Sequence, residues 1–184
     1  MANEVLLKSG TPVVWADTTD YSPAGGVIYT RTHQIDLTSL ADAAARQGAK
    51  ADLGATRAAR YVVRLCLEAD VQLASAVTAE VYFGWSNHAT VGLDNPAELT
   101  GADAAYTGTT GDSIADSVKE LDGPYVYVGT SDVAPIMLPM NIGILTPVQR
   151  YVSPVIVNNL DQALEGDAVE MYLALIPIVD EIQY

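Results

Sequence analysis

The residues of this chain that could carry acid–base or covalent chemistry are few and scattered. Its 184 residues include two histidines, His33 and His88, and a single cysteine, Cys66. Neither histidine belongs to a nucleophile motif or a metalloprotease motif, and the sequence has no glycine-rich phosphate loop. Cys66 lies between Leu65 and Leu67, where a thiol typically behaves as a small buried hydrophobe. The sequence therefore predicts a protein that is not an enzyme and needs no cofactor.

Carboxylates are the one plentiful type of potential ligand. Asp112 and Asp116, with Asp94 and Asp103 in the same turn-rich region, could offer hard oxygen atoms to calcium. Their spacing does not follow the twelve-residue EF-hand loop, so a solvated acidic surface is favoured over a metal site. Aromatic residues flank this region and could form a sugar-binding platform, although packing in the core or between subunits explains them more economically. These aromatic residues are Tyr82, Trp85, Tyr106, Tyr125 and Tyr127.

The charge balance limits the classes of partner. The chain has 23 acidic against 9 basic residues, a formal net charge of −14, which repels a phosphate backbone. We therefore expect no nucleic-acid partner. No apolar run approaches the roughly 18 residues that a membrane helix requires, and the first ten residues do not resemble a signal peptide. The sequence thus predicts a soluble product of the cytoplasm with no membrane partner.

Apolar residues alternate with other residues along most of the chain, which is the pattern of β-strands with one buried face. Val81, Phe83 and Trp85 alternate in this way, and so do the residues after Val169. From Ile136 to Leu145 the pattern predicts a strand with Ile144 on its inner face. Further runs are centred near residues 6, 14, 32, 64, 127 and 154. The sequence therefore predicts eight or nine strands.

Basic residues are concentrated in one stretch of this acidic chain. Five of the nine lie within a nineteen-residue span: Arg46, Lys50, Arg57, Arg60 and Arg64. On a helix the last three would share one side, but in "RYVVRLCLEA" alternate residues are apolar, which favours a strand with Arg64 facing away from Leu65. The preceding alanines and arginines keep a helix open as the alternative. The arginines could pair with carboxylates of the same subunit or across an interface.

A short helix is predicted over "DLTSLADAAARQG", because Thr38 or Ser39 can cap its start and Gly48 can end it. Residues 86–124, rich in Gly, Thr, Asp and Asn, predict a long irregular excursion, and residues 1–26 a candidate N-terminal arm. The length of the chain is typical of one domain. Together these features predict an all-β protein of residues 1–184: an antiparallel β-sandwich, most simply a jelly roll, with one short helix.

Four segments carry a resemblance to a known family: "ANEVLLKSGTPVVWADTTDYSP", "QIDLTSLADAAARQGAKADLGATRAARYVVRLCLE", "GADAAYTG" and "DAVEMYLALIPIVDEIQ". They resemble small virion proteins of tailed bacteriophages, over most of the chain. The resemblance implies a non-enzymatic structural protein of the particle, and within that class a capsid decoration (cement) protein that stabilises the shell. It supplies no catalytic residues.

This resemblance implies synthesis in the host cytoplasm, a final location on the capsid surface, the major capsid protein as a partner, and self-association, most simply as a trimer. A tail or fibre component and a carbohydrate-binding jelly roll are the alternatives. Combining it with the basic stretch and the aromatic residues, we predict a set of interface residues. They are Arg57, Arg60, Arg64, Tyr82, Trp85 and Tyr106.

Overall fold

Two six-stranded β-sheets make up the computed structural model of the chain. The structure describes residues 4–23, 29–69, 71, 73, 76–129 and 139–183, and of residues 4–9 and 180–183 only the backbone. Its strands are β1 (Glu4–Ser9), β2 (Val13–Ala16), β3 (His33–Gln34), β4 (Ala45–Gln47), β5 (Ala51–Asp52), β6 (Arg60–Cys66), β7 (Thr78–Ser86), β8 (Ala104–Tyr106), β9 (Asp122–Val128), β10 (Met140–Leu145), β11 (Tyr151–Asn159) and β12 (Tyr172–Gln183). Within these ranges the helical structure is α1 (Ile114–Ser117) and a 3₁₀ turn, Val118–Glu120.

The strand order is that of a jelly roll, which confirms the predicted fold class. The first sheet has the order β10-β6-β12-β2-β3, with β1 paired to the far end of β12; the second has the order β8-β4-β11-β7-β9, with β5 also paired to β11. Four antiparallel pairs are nested in the chain: β2 with β12, β4 with β11, β6 with β10 and β7 with β9. Folding such a nested ribbon into two layers produces the eight-stranded jelly roll.

The main core lies between the two sheets. The first sheet contributes Trp15 and Leu173, and the second contributes Phe83 and Ile156, all fully buried. Trp15 also satisfies its indole N–H, which donates to the carbonyl of Ala49 at 2.6 Å. This packing fixes the distance between the sheets and so the positions of the loops at both ends.

The stretch around Arg64 is a strand, as predicted. In β6 the side chains of Tyr61, Val63 and Leu65 are buried in the main core, whereas Arg64 is half-buried on the outer face. Because β6 pairs on both sides, with β10 and β12, extended backbone satisfies its N–H and C=O groups and the helical alternative is excluded.

The predicted helix over residues 36–48 is wrong. Ser39 and Ala43 have φ angles of 51° and 59°, which interrupt a right-handed helix, and Ala45–Gln47 form strand β4 between β8 and β11. Pairing within the second sheet thus outweighs the helix propensity of the alanines. The short helix lies instead in the excursion, at α1, where the Ser113 hydroxyl accepts a hydrogen bond from the N–H of Asp116.

The inner face of β10 also differs from the prediction. Leu145 is fully buried and Ile144 is 56% exposed, the reverse of the expected alternation. The pairing of β10 with β6 shifts by one residue between Asn141 and Gly143. Such a bulge moves every later side chain to the opposite face. Met140 and Ile142 pack against the main core, as predicted, whereas the start of the predicted strand, residues 136–138, lies outside the described residues.

The excursion, residues 86–124, packs on the outer face of the second sheet. Leu99, Tyr106 and Val118 form a second apolar cluster with Tyr82 and Val155 of the sheet. Arg46 of β4 joins the excursion through Asp103, with Nε–Oδ1 and Nη2–Oδ2 distances of 2.6 and 2.8 Å. The excursion is therefore a layer of the same body, and the predicted N-terminal arm likewise contains two strands of the first sheet, β1 and β2.

Candidate interaction surface

The two ends of the chain leave the sandwich together as a paired ribbon. β12 pairs with β6 as far as Ile178, opposite Arg60. Beyond that point its residues pair, within the described structure, with β1 alone, from Ser9 opposite Ile178 to Glu4 opposite Gln183. We call Glu4–Ser9 and Ile178–Gln183 the terminal ribbon. Its outer edges carry backbone groups that could pair with another chain.

Three connections lie at the same end of the sandwich as this ribbon. Leu145, the last residue of β10, is opposite Tyr61 of β6, and Tyr151, the first residue of β11, is opposite both Ser86 and Asp52. The connections that start or end at these residues therefore lie together. We call the terminal ribbon with residues 53–59, 87–95 and 146–150 the ribbon end.

Four of the eight large apolar side chains that are exposed in the described chain lie at the ribbon end. Val91, Leu93, Val148 and Val179 are 49%, 50%, 67% and 42% exposed. Val71, in the β6–β7 connection at the opposite end, is 50% exposed and lies apart from them. Apolar groups gathered at one place on a surface typically mark a contact with a partner.

A cavity of about 510 Å³ opens at the root of the terminal ribbon. Val13, Leu53, Tyr61 and Pro177 are among the residues that line it, and Arg57 is its one basic residue. Within the described chain Arg57 makes no ion pair with a carboxylate. The cavity thus combines apolar walls with one cation, a combination suited to an acidic and partly apolar segment.

The loop 86–95 is organised around the ammonium of Lys50. Its Nζ donates to the carbonyls of His88, Thr90 and Leu93 at 3.1, 3.0 and 2.9 Å, and to the Ser86 hydroxyl at 3.2 Å. Burial lowers the pKa of Lys50, and the nearby carboxylate of Asp94 partly offsets this effect. The ammonium thereby holds Val91 and Leu93 in their exposed positions.

A second ion pair fixes the next connection at this end. Arg150 donates to both carboxylate oxygens of Asp52, at 2.8 and 2.6 Å, and its guanidinium lies 5.1 Å from the ring centroid of Tyr151. This guanidinium, together with the N–H of Gly54, lowers the pKa of Asp52, although slight burial acts in the opposite direction. The pair is exposed, so we assign it a positioning effect on Val148 rather than a large effect on stability.

The predicted interface arginines do not form one patch. Arg57 lies at the ribbon end, and the exposed Arg60 adjoins it at the start of β6, opposite Ile178. Arg64 lies on the outer face of the first sheet, with its guanidinium 6.0 Å from the ring centroid of Tyr29. Pairing across an interface stays a prediction for Arg57 and Arg60. The guanidinium of Arg64 is instead covered by the ring of Tyr29 from the same chain.

Two of the three predicted aromatic interface residues require correction. Tyr82 and Tyr106 are 8% and 3% exposed, because both are packed between the second sheet and the excursion, to which Tyr106 belongs. Their hydroxyls donate within the chain, to Glu80 at 2.7 Å and to the carbonyl of Ala97 at 3.1 Å. Trp85 is half-buried against the main core, and its indole N–H donates to Asp122 at 3.2 Å.

Comparison with protein-family models, with curated proteins and with solved structures finds no match to this chain. The roles of its residues are therefore inferred from their contacts in this chain. Sequence reasoning placed Lys50 in the basic stretch but did not indicate that it holds the loop 86–95. It missed Val148 as a residue of the surface, although a valine in a turn between two strands was a signal for it.

Each carboxylate considered as a calcium ligand accepts a hydrogen bond from a different part of this chain. Asp94 accepts from the N–H of Asn87, Asp103 from Arg46, Asp112 from the Thr109 hydroxyl, and Asp116 from Lys119 and Ser113. In the described ranges no three His, Cys, Asp or Glu side chains are placed to hold a metal ion. The same ranges contain no helix that is both long and apolar enough to cross a bilayer.

Both histidines make contacts within the chain, one by ring packing and one by a hydrogen bond. The ring of His33 packs on Trp15 with a centroid distance of 5.6 Å, and burial lowers its pKa. The Nδ1 atom of His88 accepts a hydrogen bond from the N–H of Thr90 at 3.1 Å, within the loop around Lys50. Neither contact brings a histidine next to a serine or cysteine nucleophile.

Cys66 is expected to resist thiol reagents as long as the chain is folded. Its side chain is 2% exposed, and burial, with the charges of Glu170 and Glu68, raises the pKa of the thiol to about 12. Because the thiolate is the reactive form, labelling by Ellman's reagent at pH 8 should be roughly two to three orders of magnitude slower in buffer than in urea. A Val71→Cys variant supplies an exposed thiol as the reference. Equal rates in buffer and urea would contradict the burial of Cys66.

Proposed function

We propose that the chain is a non-enzymatic virion protein of a tailed bacteriophage, a decoration protein that binds the capsid and stabilises the shell. The observation that supports this proposal best is the ribbon end, where a paired terminal ribbon, exposed apolar side chains and Arg57 occur together. A rigid sandwich that presents one such end is suited to binding between the subunits of a larger surface. The acidic composition keeps separate copies soluble until they bind.

The ribbon end supplies the capsid contact in this proposal. Val148 and Leu93 enter apolar depressions on the major capsid protein, while Arg57 meets a carboxylate there. The free edges of the terminal ribbon pair with a neighbouring copy, which gives a cyclic oligomer, most simply a trimer at a threefold position of the shell.

The alternative function, that of a glycan-binding jelly roll, has less support. Of the five aromatic residues considered for a sugar platform, Tyr82, Tyr106 and Tyr127 are buried. Trp85 and Tyr125 are partly buried against the main core. A tail protein would use the same surface. The binding test below distinguishes binding to tails from binding to capsids.

The test is co-sedimentation of the purified chain with capsids that lack it, alongside isolated tails. We expect saturable binding to capsids, and a Val148→Asp variant that binds at least about tenfold more weakly, because a charge replaces an apolar anchor. Val71→Asp, which introduces the same charge at the opposite end, should bind as the wild type does. Binding to tails alone, or equal loss in both variants, would contradict the proposal.

A further inference from the structure

The outer face of the second sheet is covered over only part of its area. The excursion covers the part around Tyr82 and Val155. Towards the opposite end of the strands, Val126 and Val128 of β9 remain 40% and 44% exposed. Val126 is paired with Glu80 of β7, so both side chains lie on this same outer face. An apolar surface with one carboxylate is therefore left open beside the excursion.

A cleft of about 390 Å³ lies between this open surface and helix α1. Its walls are mainly apolar and include Val157 of the sheet and Ile114 and Val118 of the excursion. Glu80, Tyr82 and Asn159 provide its polar groups on the side of the sheet. The volume is sufficient for one long side chain or a small ligand.

Glu80 is held as a hydrogen-bond acceptor within this cleft. One of its oxygens, Oε2, accepts the hydroxyl proton of Tyr82 at 2.7 Å. Burial, followed by the contact with Glu80, raises the pKa of Tyr82 well above its usual value, so the phenol stays a donor at neutral pH. Among the described residues no lysine, arginine or histidine pairs with Glu80. Its carboxylate is thus oriented but lacks a cation.

We infer that this cleft binds a lysine or arginine side chain presented by a partner protein. The apolar walls suit the aliphatic stem of such a side chain, and Glu80 faces the charged head. The occupant is a cation because the chain as a whole carries a net charge of −14, which attracts basic surfaces and repels acidic ones. Val126 and Val128 extend the contact beside the cleft. The inference goes beyond the proposed function and holds whether or not the partner is a capsid.

The test uses N-acetyl-lysine-N′-methylamide as the probe, titrated into the isotope-labelled chain and followed by NMR. We expect the amide signals of Glu80, Ile114 and Asn159 to shift in a saturable way. The norleucine analogue, which has a similar stem and no charge, should bind at least about tenfold more weakly. Equal shifts with both compounds, or no saturable shift at the cleft, would overturn the inference.

Two variants complete the experiment. Glu80→Gln should weaken binding of the lysine probe at least about tenfold, because the amide retains the shape and loses the charge. Glu120→Gln makes the same change of net charge at an exposed position outside the cleft and should bind as the wild type does. Equal weakening in both variants would show attraction to net charge alone and would overturn the site. If Glu80→Gln fails to fold, the comparison of the two probes on the wild type still decides the question.

Discussion

Replacing Lys50 with methionine is expected to lower the free energy of unfolding by about 2–4 kcal/mol, among the largest effects of any single substitution on the surface of this protein. Methionine keeps the length of the side chain and has no donor. The three carbonyls and the Ser86 hydroxyl that now accept from Nζ would lose a charged partner. Urea unfolding measures the change, and the melting temperature should fall by about 2–4 °C for each kcal/mol.

The Lys119→Met variant is the matched control, because the Lys119 side chain is 73% exposed and pairs with Asp116 on the same turn. It should leave the unfolding curve almost unchanged. Hydrogen exchange adds a local readout: Lys50→Met should speed exchange of the amides of residues 87–95 more than those of β6. An unchanged melting temperature, or loss of protection spread evenly over the chain, would count against a loop held by the ammonium.

Gly84→Val is expected to detach the excursion from the second sheet, at a cost of about 1–3 kcal/mol or more. A Cβ atom at Gly84 would overlap the Leu99 Cδ1 methyl group and would lie 3.2 Å from Cγ of Pro96. Leu99 is 4% exposed and packed in the second cluster, so moving it away from the new side chain would disturb the packing of that cluster. Position 84 requires a glycine because the excursion packs closely against the β7 backbone there. The φ angle of Gly84 does not itself require a glycine.

Gly92→Val is the control, since a Cβ at Gly92 meets nothing within 4 Å. We expect it to unfold as the wild type does. In Gly84→Val, tryptic cleavage at Lys119 should become rapid while the strands of the first sheet retain slow hydrogen exchange. Cooperative loss of both layers would show instead that the excursion and the sandwich unfold as one unit.

The sequence was sufficient to predict the strands in which buried and other residues alternate regularly. Alternation identified β6, β7 and β12, with Val63, Phe83 and Leu173 correctly placed in the core. It could not identify β4, β5 and β8, because strands of two or three residues are too short to show a period. The fold class also followed from simple composition and spacing, since many short strands in one domain favour an antiparallel sandwich, whereas the strand order did not.

The errors have local physical causes. A one-residue bulge between Asn141 and Gly143 reversed Ile144 and Leu145, and no alternation pattern marks a bulge in advance. Left-handed backbone at Ser39 and Ala43 replaced the predicted helix, because the sheet needed the following residues as a strand. Local propensity cannot account for partners that lie far away in the chain.

The candidate site was predictable only in part. The concentration of basic residues drew attention to Arg57, which does lie at the ribbon end, and to Arg60. The ligands of Lys50 are 36 to 43 residues away in sequence and are mostly backbone carbonyls, which no side-chain pattern reveals. The burial of Tyr82 and Tyr106 depends on how the excursion folds back, which is likewise a non-local property.

The position of β12 has a consequence for how the chain is made. β12 lies in the middle of the first sheet, between β6 and β2, yet it follows both of them in the chain. During translation, β6 and β2 therefore leave the ribosome without their common neighbour, and the edge of β6 that pairs with β12 remains unpaired until β12 is synthesised. Proteins dominated by such distant pairings typically fold in milliseconds to seconds, and their unfinished forms expose strand edges to aggregation. The first sheet is thus completed only after β12 has been added to the nascent chain.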